Sequence, residues 1–141
     1  MTNENIASRV ALALEKHKKG YNCAQSVACA FCDKTDFDEK VMFRLTEGLG
    51  LGMGGMDGTC GAIAAAAVLS GTKCSTCNLE APDSKGTSYR SSRACVAQFK
   101  EKNGSVVCRE LKGVDTGKVL RSCDGCISDA VEIIAKTLYA E

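Results

Sequence analysis

Tryptophan is absent from this 141-residue chain, and proline and histidine occur once each. A single histidine leaves almost no raw material for a Ser-His-Asp or Cys-His catalytic pair. That residue, His17, sits at a lysine-rich helix end, where a favourable interaction with the helix dipole is its expected role. An excess of one charge is also missing. The formal net charge is +1 with Lys and Arg scattered, so the electrostatic footprint of a nucleic-acid binder is lacking. No apolar run approaches the ~18 residues of a membrane span. The N-terminal MTNENIASRV has an early acidic residue and no apolar stretch, unlike a signal peptide. A cytoplasmic protein without a membrane or nucleic-acid partner is expected.

What the chain has in quantity is cysteine, with ten residues: Cys23, Cys29, Cys32, Cys60, Cys74, Cys77, Cys95, Cys108, Cys123 and Cys126. In a secreted protein an even number would suggest disulfides. In a reducing cytosol, metal binding or thiol redox chemistry is the better reading. About half are expected to be buried small hydrophobes, because one site rarely needs more than about four ligands.

Length and an ordinary balance of 45% apolar and 25% charged residues fit one domain, residues 1–141. The apolar spacing is helical. Ile6, Val10, Ala13 and Leu14 mark a first helix stopped by Gly20. Asn22 can cap a second running through Val27 and Phe31. Asp36 with Glu39 resembles a capping box for a third, with Phe37, Val41 and Leu45 on one face. Cys60 to Leu69 predicts a buried central helix, following an Asp57 cap. Cys74 to Gly86, with Pro82, is a loop. Tyr89, Ser92, Val96 and Phe99 mark a helix ending near Asn103-Gly104. Ser105 can cap a short one through Leu111, and a polar link follows from Gly113 to Gly117. Ile127, Ala130, Val131, Ile134 and Leu138 stripe the last helix. With no convincing strand, the expected fold is an all-α bundle of six or seven helices.

Four cysteines share a position type. Cys23 follows Asn22, Cys60 and Cys108 lie three residues after Asp57 and Ser105, and Cys126 lies two after Asp124. Each is expected in the first turn of a helix, where free N–H groups and the positive dipole end stabilise a thiolate. Four helices aiming these sulfurs at one point would make a Cys₄ site. Cys29 and Cys32 fall about 120° and about 180° around the helix from Cys23, so they should lie outside that site. The loop pair Cys74/Cys77 suits a metal knuckle or a dithiol, and Cys123/Cys126 resembles a redox-dithiol placement. A thioredoxin-like frame needs strands that are missing here.

Seven glycines lie between Gly48 and Gly61. Gly50, Gly52 and Gly55 formally match G-x-G-x-x-G, but no strand precedes them, so a nucleotide fingerprint is not expected. Gly55, Gly58 and Gly61 are instead candidate cofactor-binding positions, where backbone N–H groups could form an anion-binding nest near Cys60.

With these residues in hand, the chain resembles the redox-active family named for its C-GCAxxG-C-C cysteine pattern. The matching pieces are Gly20-Tyr21-Asn22-Cys23-Ala24-Gln25-Ser26-Val27, Gly54-Gly55-Met56 leading to Cys60-Gly61-Ala62, Cys108-Arg109-Glu110-Leu111, and Cys126 before the last helix. Ala65 stands where the family pattern has Gly, which implies slightly wider helix packing and removes no ligand. The resemblance implies a cytosolic or exported bacterial protein with redox and transport associations and an iron–sulfur cluster. It carries the site to Cys23, Cys60, Cys108 and Cys126, with Cys123 as the ambiguous neighbour.

Three functions compete at this stage. One is electron transfer or redox sensing through a Cys₄ iron–sulfur cluster. The second is metal-free thiol–disulfide chemistry at the same four cysteines. The third is a structural zinc site with Cys74 and Cys77 as its best ligands. An unidentified redox partner protein is implied, and a homodimer is compatible with the sequence.

Overall fold

The computed structural model describes residues 1–140. Six helices of seven residues or more carry the architecture: α1 (Asn3–Lys19), α2 (Cys23–Cys29), α3 (Glu39–Thr46), α5 (Gly61–Cys74), α6 (Lys85–Asn103) and α8 (Cys123–Thr137). Two single turns, α4 (Gly50–Met53) and α7 (Cys108–Leu111), lie in the connections. Among the described residues the β-structure is one isolated antiparallel bridge, Thr59 with Val107. The fold is all-α.

Local chemistry explains the helix ends. Thr2 caps α1 by accepting from the Asn5 N–H, and Gly20 closes it in the left-handed conformation at φ 114°. Asn22 opens α2 with a full capping box. Its side chain accepts from the Gln25 N–H while the Gln25 side chain accepts from the Asn22 N–H. The α2 helix ends at Cys29, so Phe31 lies beyond it.

Several caps differ from the sequence expectation by a few residues. Asp38, not Asp36, caps α3, because its carboxylate meets the Val41 N–H. The stripe of Phe37, Val41 and Leu45 faces solvent, whereas Met42 and Thr46 are the buried residues of α3. Cys60 itself occupies the N-cap of α5, and Asp57 instead accepts from Arg109 Nε at 3.0 Å. Ser122 caps α8 through the Gly125 N–H, not Asp124. Ser105 accepts from the Val107 N–H just ahead of α7, whose N-cap is Val107.

Helix α5 is the centre of the core. Its Ala62, Ile63, Ala65, Ala66 and Leu69 are fully covered. Small side chains let α2 and α6 pack closely against it, which an apolar helix of this kind requires on all faces. Phe31, Phe99, Met42, Ile127, Ile134 and Leu138 fill the remaining space. The N-termini of α2, α5, α7 and α8 meet at one end of this core.

Candidate functional site

Two backbone contacts set the site. The Cys60 N–H donates to the Val106 carbonyl at 2.6 Å, and the Cys108 N–H donates to the Gly58 carbonyl at 3.1 Å. This short ladder, centred on the Thr59–Val107 bridge, clamps the starts of α5 and α7 together. Two glycines make the approach possible. A Cβ on Gly61 would stand 3.1 Å from the Ala24 amide nitrogen, so α5 and α2 begin side by side. A Cβ on Gly52, which has φ +56°, would lie 2.6 Å from the Cys108 Cβ.

At this junction a half-open cavity of about 180 Å³ is lined by Cys23, Cys60, Cys108, Cys123 and Cys126. The four cysteines that share helix-start positions thus line one cavity, together with Cys123. Cys60, Cys108 and Cys126 are 6%, 4% and 3% exposed, while Cys23 and Cys123 are half-buried towards the mouth. Leu51 and Leu111 supply apolar wall. Lys112 and Arg121 bring cationic side chains, and His17 and Asn22 also line the wall.

The thiols are not equivalent. Cys60 is pulled down to about 7, chiefly because the Cys126 thiol acts as a hydrogen-bond donor to its sulfur, against the opposing effect of burial. The N–H groups of Ala62 and Ile63 at the start of α5 and the Lys112 charge add to this. Cys126 is correspondingly raised, first by Cys60 and then by burial. The two form a coupled pair in which Cys60 is the sulfur that ionises first and Cys126 the one that keeps its proton. Burial pushes Cys23 up to about 12, with Cys123 and Cys60 adding to the shift. Burial also raises Cys108, partly offset by Lys112. Lys112 is itself raised because its ammonium donates towards the Cys123 sulfur. Its cation also helps to hold Cys60 down.

Second contacts hold the cations. Arg121 lies on the buried Asp129 carboxylate through Nε at 3.0 Å and a second nitrogen at 3.1 Å, and Lys102 joins it at 2.6 Å. The Arg121 side chain crosses α8 where Gly125 has no Cβ, a position at which a methyl would come within 2.5 Å. His17 Nδ1 lies 3.0 Å from Asp124, so the last turn of α1 reaches the mouth of the cavity.

Lys112, Arg121 and His17 were not singled out from the sequence as site residues. Lys112 carries a readable signal, since it stands four residues after Cys108 and so shares its side of the turn. His17 and Arg121 arrive through packing between distant elements, and no local pattern marks them. Of the three candidate glycines, Gly61 lines the cavity. Gly55 stands in open space, and the Gly58 N–H is used by the Gly52 carbonyl. These two shape the loop rather than face the sulfurs.

The other cysteines lie elsewhere. Cys95 is buried in α6, with burial raising it to about 11. Cys74 ends α5 against the Ser91 hydroxyl, and Cys77 is exposed with φ 57°. Cys29 and Cys32 do not line the cavity.

Among the described residues no group of three or more His, Cys, Asp or Glu side chains is placed to hold a metal ion. That holds for the cavity cysteines as a set and for Cys74 and Cys77, which have no third ligand. A single zinc ion therefore finds no ready ligand set. A polynuclear group makes a different demand, since its thiolates are spread around a core. The residues that would hold such a group are the five cavity cysteines, all soft sulfur donors, with Lys112 as the neighbouring cation.

No described helix is long and apolar enough to cross a membrane. Comparison with curated proteins and with solved structures gives no match. Residues 21–137 match the family described as "Putative redox-active protein (C_GCAxxG_C_C)", a span running from the start of α2 to the end of α8 and including all five cavity cysteines. The chain belongs to this family of cysteine-rich redox-active proteins.

Proposed function

We propose that the protein is an electron carrier or redox sensor whose centre is an iron–sulfur cluster held by Cys23, Cys60, Cys108 and Cys126. The observation that carries this reading is the single cavity ringed by five sulfurs, three of them at most 6% exposed. A bound cluster would supply one-electron exchange without any need for a partner to touch the sulfurs. Cys60 supplies a thiolate already formed near neutral pH, while Lys112 offsets its charge. Binding would release the protons of the remaining ligand thiols. Leu51 and Leu111 limit water at the sulfurs. Cys123, at the mouth, is the spare thiol beside the ligand set. A reducing cytoplasm would keep such thiols available, and an unidentified redox protein would exchange the electron.

The contact of Cys126 with the lowered Cys60 favours a second reading, metal-free thiol–disulfide exchange. In it, the Cys60 thiolate attacks a disulfide and Cys126 resolves the mixed disulfide, releasing the substrate as a dithiol. Burial of both sulfurs counts against it, because the attacked disulfide must reach Cys60 directly.

Anaerobic reconstitution of serine variants with ferrous iron and sulfide separates the readings. Under the cluster reading, Cys60→Ser and Cys126→Ser lose or shift the visible absorption, while Cys95→Ser retains it. Colourless wild-type protein that forms a Cys60–Cys126 disulfide reversibly would support the exchange reading instead.

A further inference from the structure

A second pair of sulfurs lies outside the cavity, at the opposite end of α2 from Cys23. Ala30 has φ −68° and ψ −11°, and Phe31 has φ −115° and ψ 15°. These are the central residues of a type I turn, with Cys29 and Cys32 as its corners. Such a turn holds the corner Cα atoms within about 7 Å, the range a disulfide can bridge. The Cys29 thiol donates to the Glu39 carbonyl at 3.9 Å, and each of the two sulfurs shifts the other's acidity, as neighbours do.

The surroundings are equally specific. Cys29 is 4% exposed and forms part of a surface groove with Arg9, Lys16, Asp33 and Glu39, and Cys32 is half-buried beside it. The two cations are held in place, Arg9 by both oxygens of Asp33 and Lys16 by Glu39 at 2.8 Å. Glu39 is also an acceptor for the Tyr21 hydroxyl.

We propose that Cys29 and Cys32 form a second redox site, a dithiol that a low-molecular-weight disulfide oxidises to an intramolecular disulfide. Cys32, the more accessible sulfur, attacks as its thiolate. It bonds to one sulfur of the small disulfide and releases the other as a thiolate. Cys29 gives its proton to solvent and attacks the Cys32 sulfur, closing the Cys29–Cys32 bond and expelling the second small thiol. The protein loses two electrons and two protons, and the small disulfide becomes two thiols. Burial, with Glu39 nearby, raises both cysteines, Cys29 to about 12, so the pair is stable as thiols at neutral pH and its oxidation accelerates as pH rises. Neither sulfur is part of the cavity, so this site stands or falls independently of the cluster reading.

The test uses the full-length wild-type protein, folded and reduced, exposed to glutathione disulfide and followed by alkylation and tandem mass spectrometry. The expected result is joint loss of alkylation at Cys29 and Cys32, with a two-hydrogen mass loss, at a rate that increases from about pH 7 to about pH 9. Cys23→Ser should leave this product unchanged, and Cys29→Ser should trap a stable glutathione adduct on Cys32. Cys29 and Cys32 both remaining alkylatable, or Cys29 pairing with Cys23 instead, would overturn the proposal. The wild-type measurement decides even where a variant fails to fold.

Discussion

At the scale of single residues, the central feature is the unequal acidity of two neighbouring sulfurs. Cys60 is lowered to about 7 because Cys126 donates to it, and α5 adds the N–H groups of its first turn. Alkylation of the metal-free protein should therefore show one cysteine, Cys60, titrating near pH 7. Replacing Cys126 with Ala removes the principal donor and should move that midpoint upward, towards an ordinary thiol. Mass spectrometry of the alkylated protein as a function of pH reads both values. An unchanged Cys60 midpoint in Cys126→Ala would show that α5 and Lys112 set the thiolate without Cys126. The helix starts beside the cysteines are legible in the sequence to within a few residues, but only Asn22 is the cap the sequence suggests; Cys60, Val107 and Ser122 take that place in the other three helices. The proton distribution is not legible, because it depends on which two sulfurs meet across α5 and α8.

At the scale of elements, the cavity depends on helix starts held in register. Asn22 caps α2, and its side-chain amide also donates to the Glu47 carbonyl at 2.9 Å, tying α2 to the loop that leads to Gly52. Asn22→Ala should cost about 1 kcal/mol for the cap, with further loss from the bond to Glu47. Urea unfolding should show a lower midpoint at unchanged slope. Asp129 performs the corresponding task for α8. Its carboxylate is 2% exposed and binds Lys102 of α6 and Arg121 at the cavity wall. Asp129→Asn should destabilise by about 2 kcal/mol, since its partners are partly exposed and regain water.

Asp129 also predicts an acid response. Its folded pKa is lowered by Arg121 and Lys102 despite burial, which acts in the opposite direction. Its stabilisation is therefore present above the ordinary carboxylate range and is lost as pH falls through the lowered value. Asp129→Asn should flatten that part of the acid unfolding curve. Elements such as the Ala-rich α5 and the striped α8 were plain in the sequence, as their apolar period is long. The α3 face departs from its apolar period: Phe37, Val41 and Leu45 form a regular stripe that the fold leaves on the surface, while Met42 goes inside. Periodicity specifies a face, but packing decides which face is covered.

For the whole molecule, the many buried thiols make a distinct pH signature. Folded Cys23 and Cys29 are raised to about 12 and Cys95 to about 11, above the ordinary thiol value of 9.0. Their stabilising contributions are present below 9.0 and are lost as pH rises through those folded values. Cys60 works in the opposite direction, its contribution being lost as pH falls from 9.0 through about 7. Reduced, metal-free protein should therefore lose stability as pH rises above 9.0, with the unfolding midpoint in urea as the readout. A midpoint that is flat or rises across that range would show that the thiols are less sequestered than their burial implies.

The same gathering of distant residues gives the molecule its site. Cys23 and Cys126 are separated by most of the chain, yet the starts of α2, α5, α7 and α8 bring them to one cavity. The most direct measurement of what that cavity holds is the iron and acid-labile sulfide content of wild-type protein purified without oxygen, taken with its visible spectrum. Because the chain has no Trp, protein absorbance interferes little. The expected result is iron and sulfide in matched amounts, with sulfur-to-iron charge-transfer absorption that disappears when a chelator removes the metal. Protein that stays colourless and free of iron and sulfide, even after anaerobic reconstitution, while all five cavity cysteines remain open to alkylation, would contradict a cluster at this site.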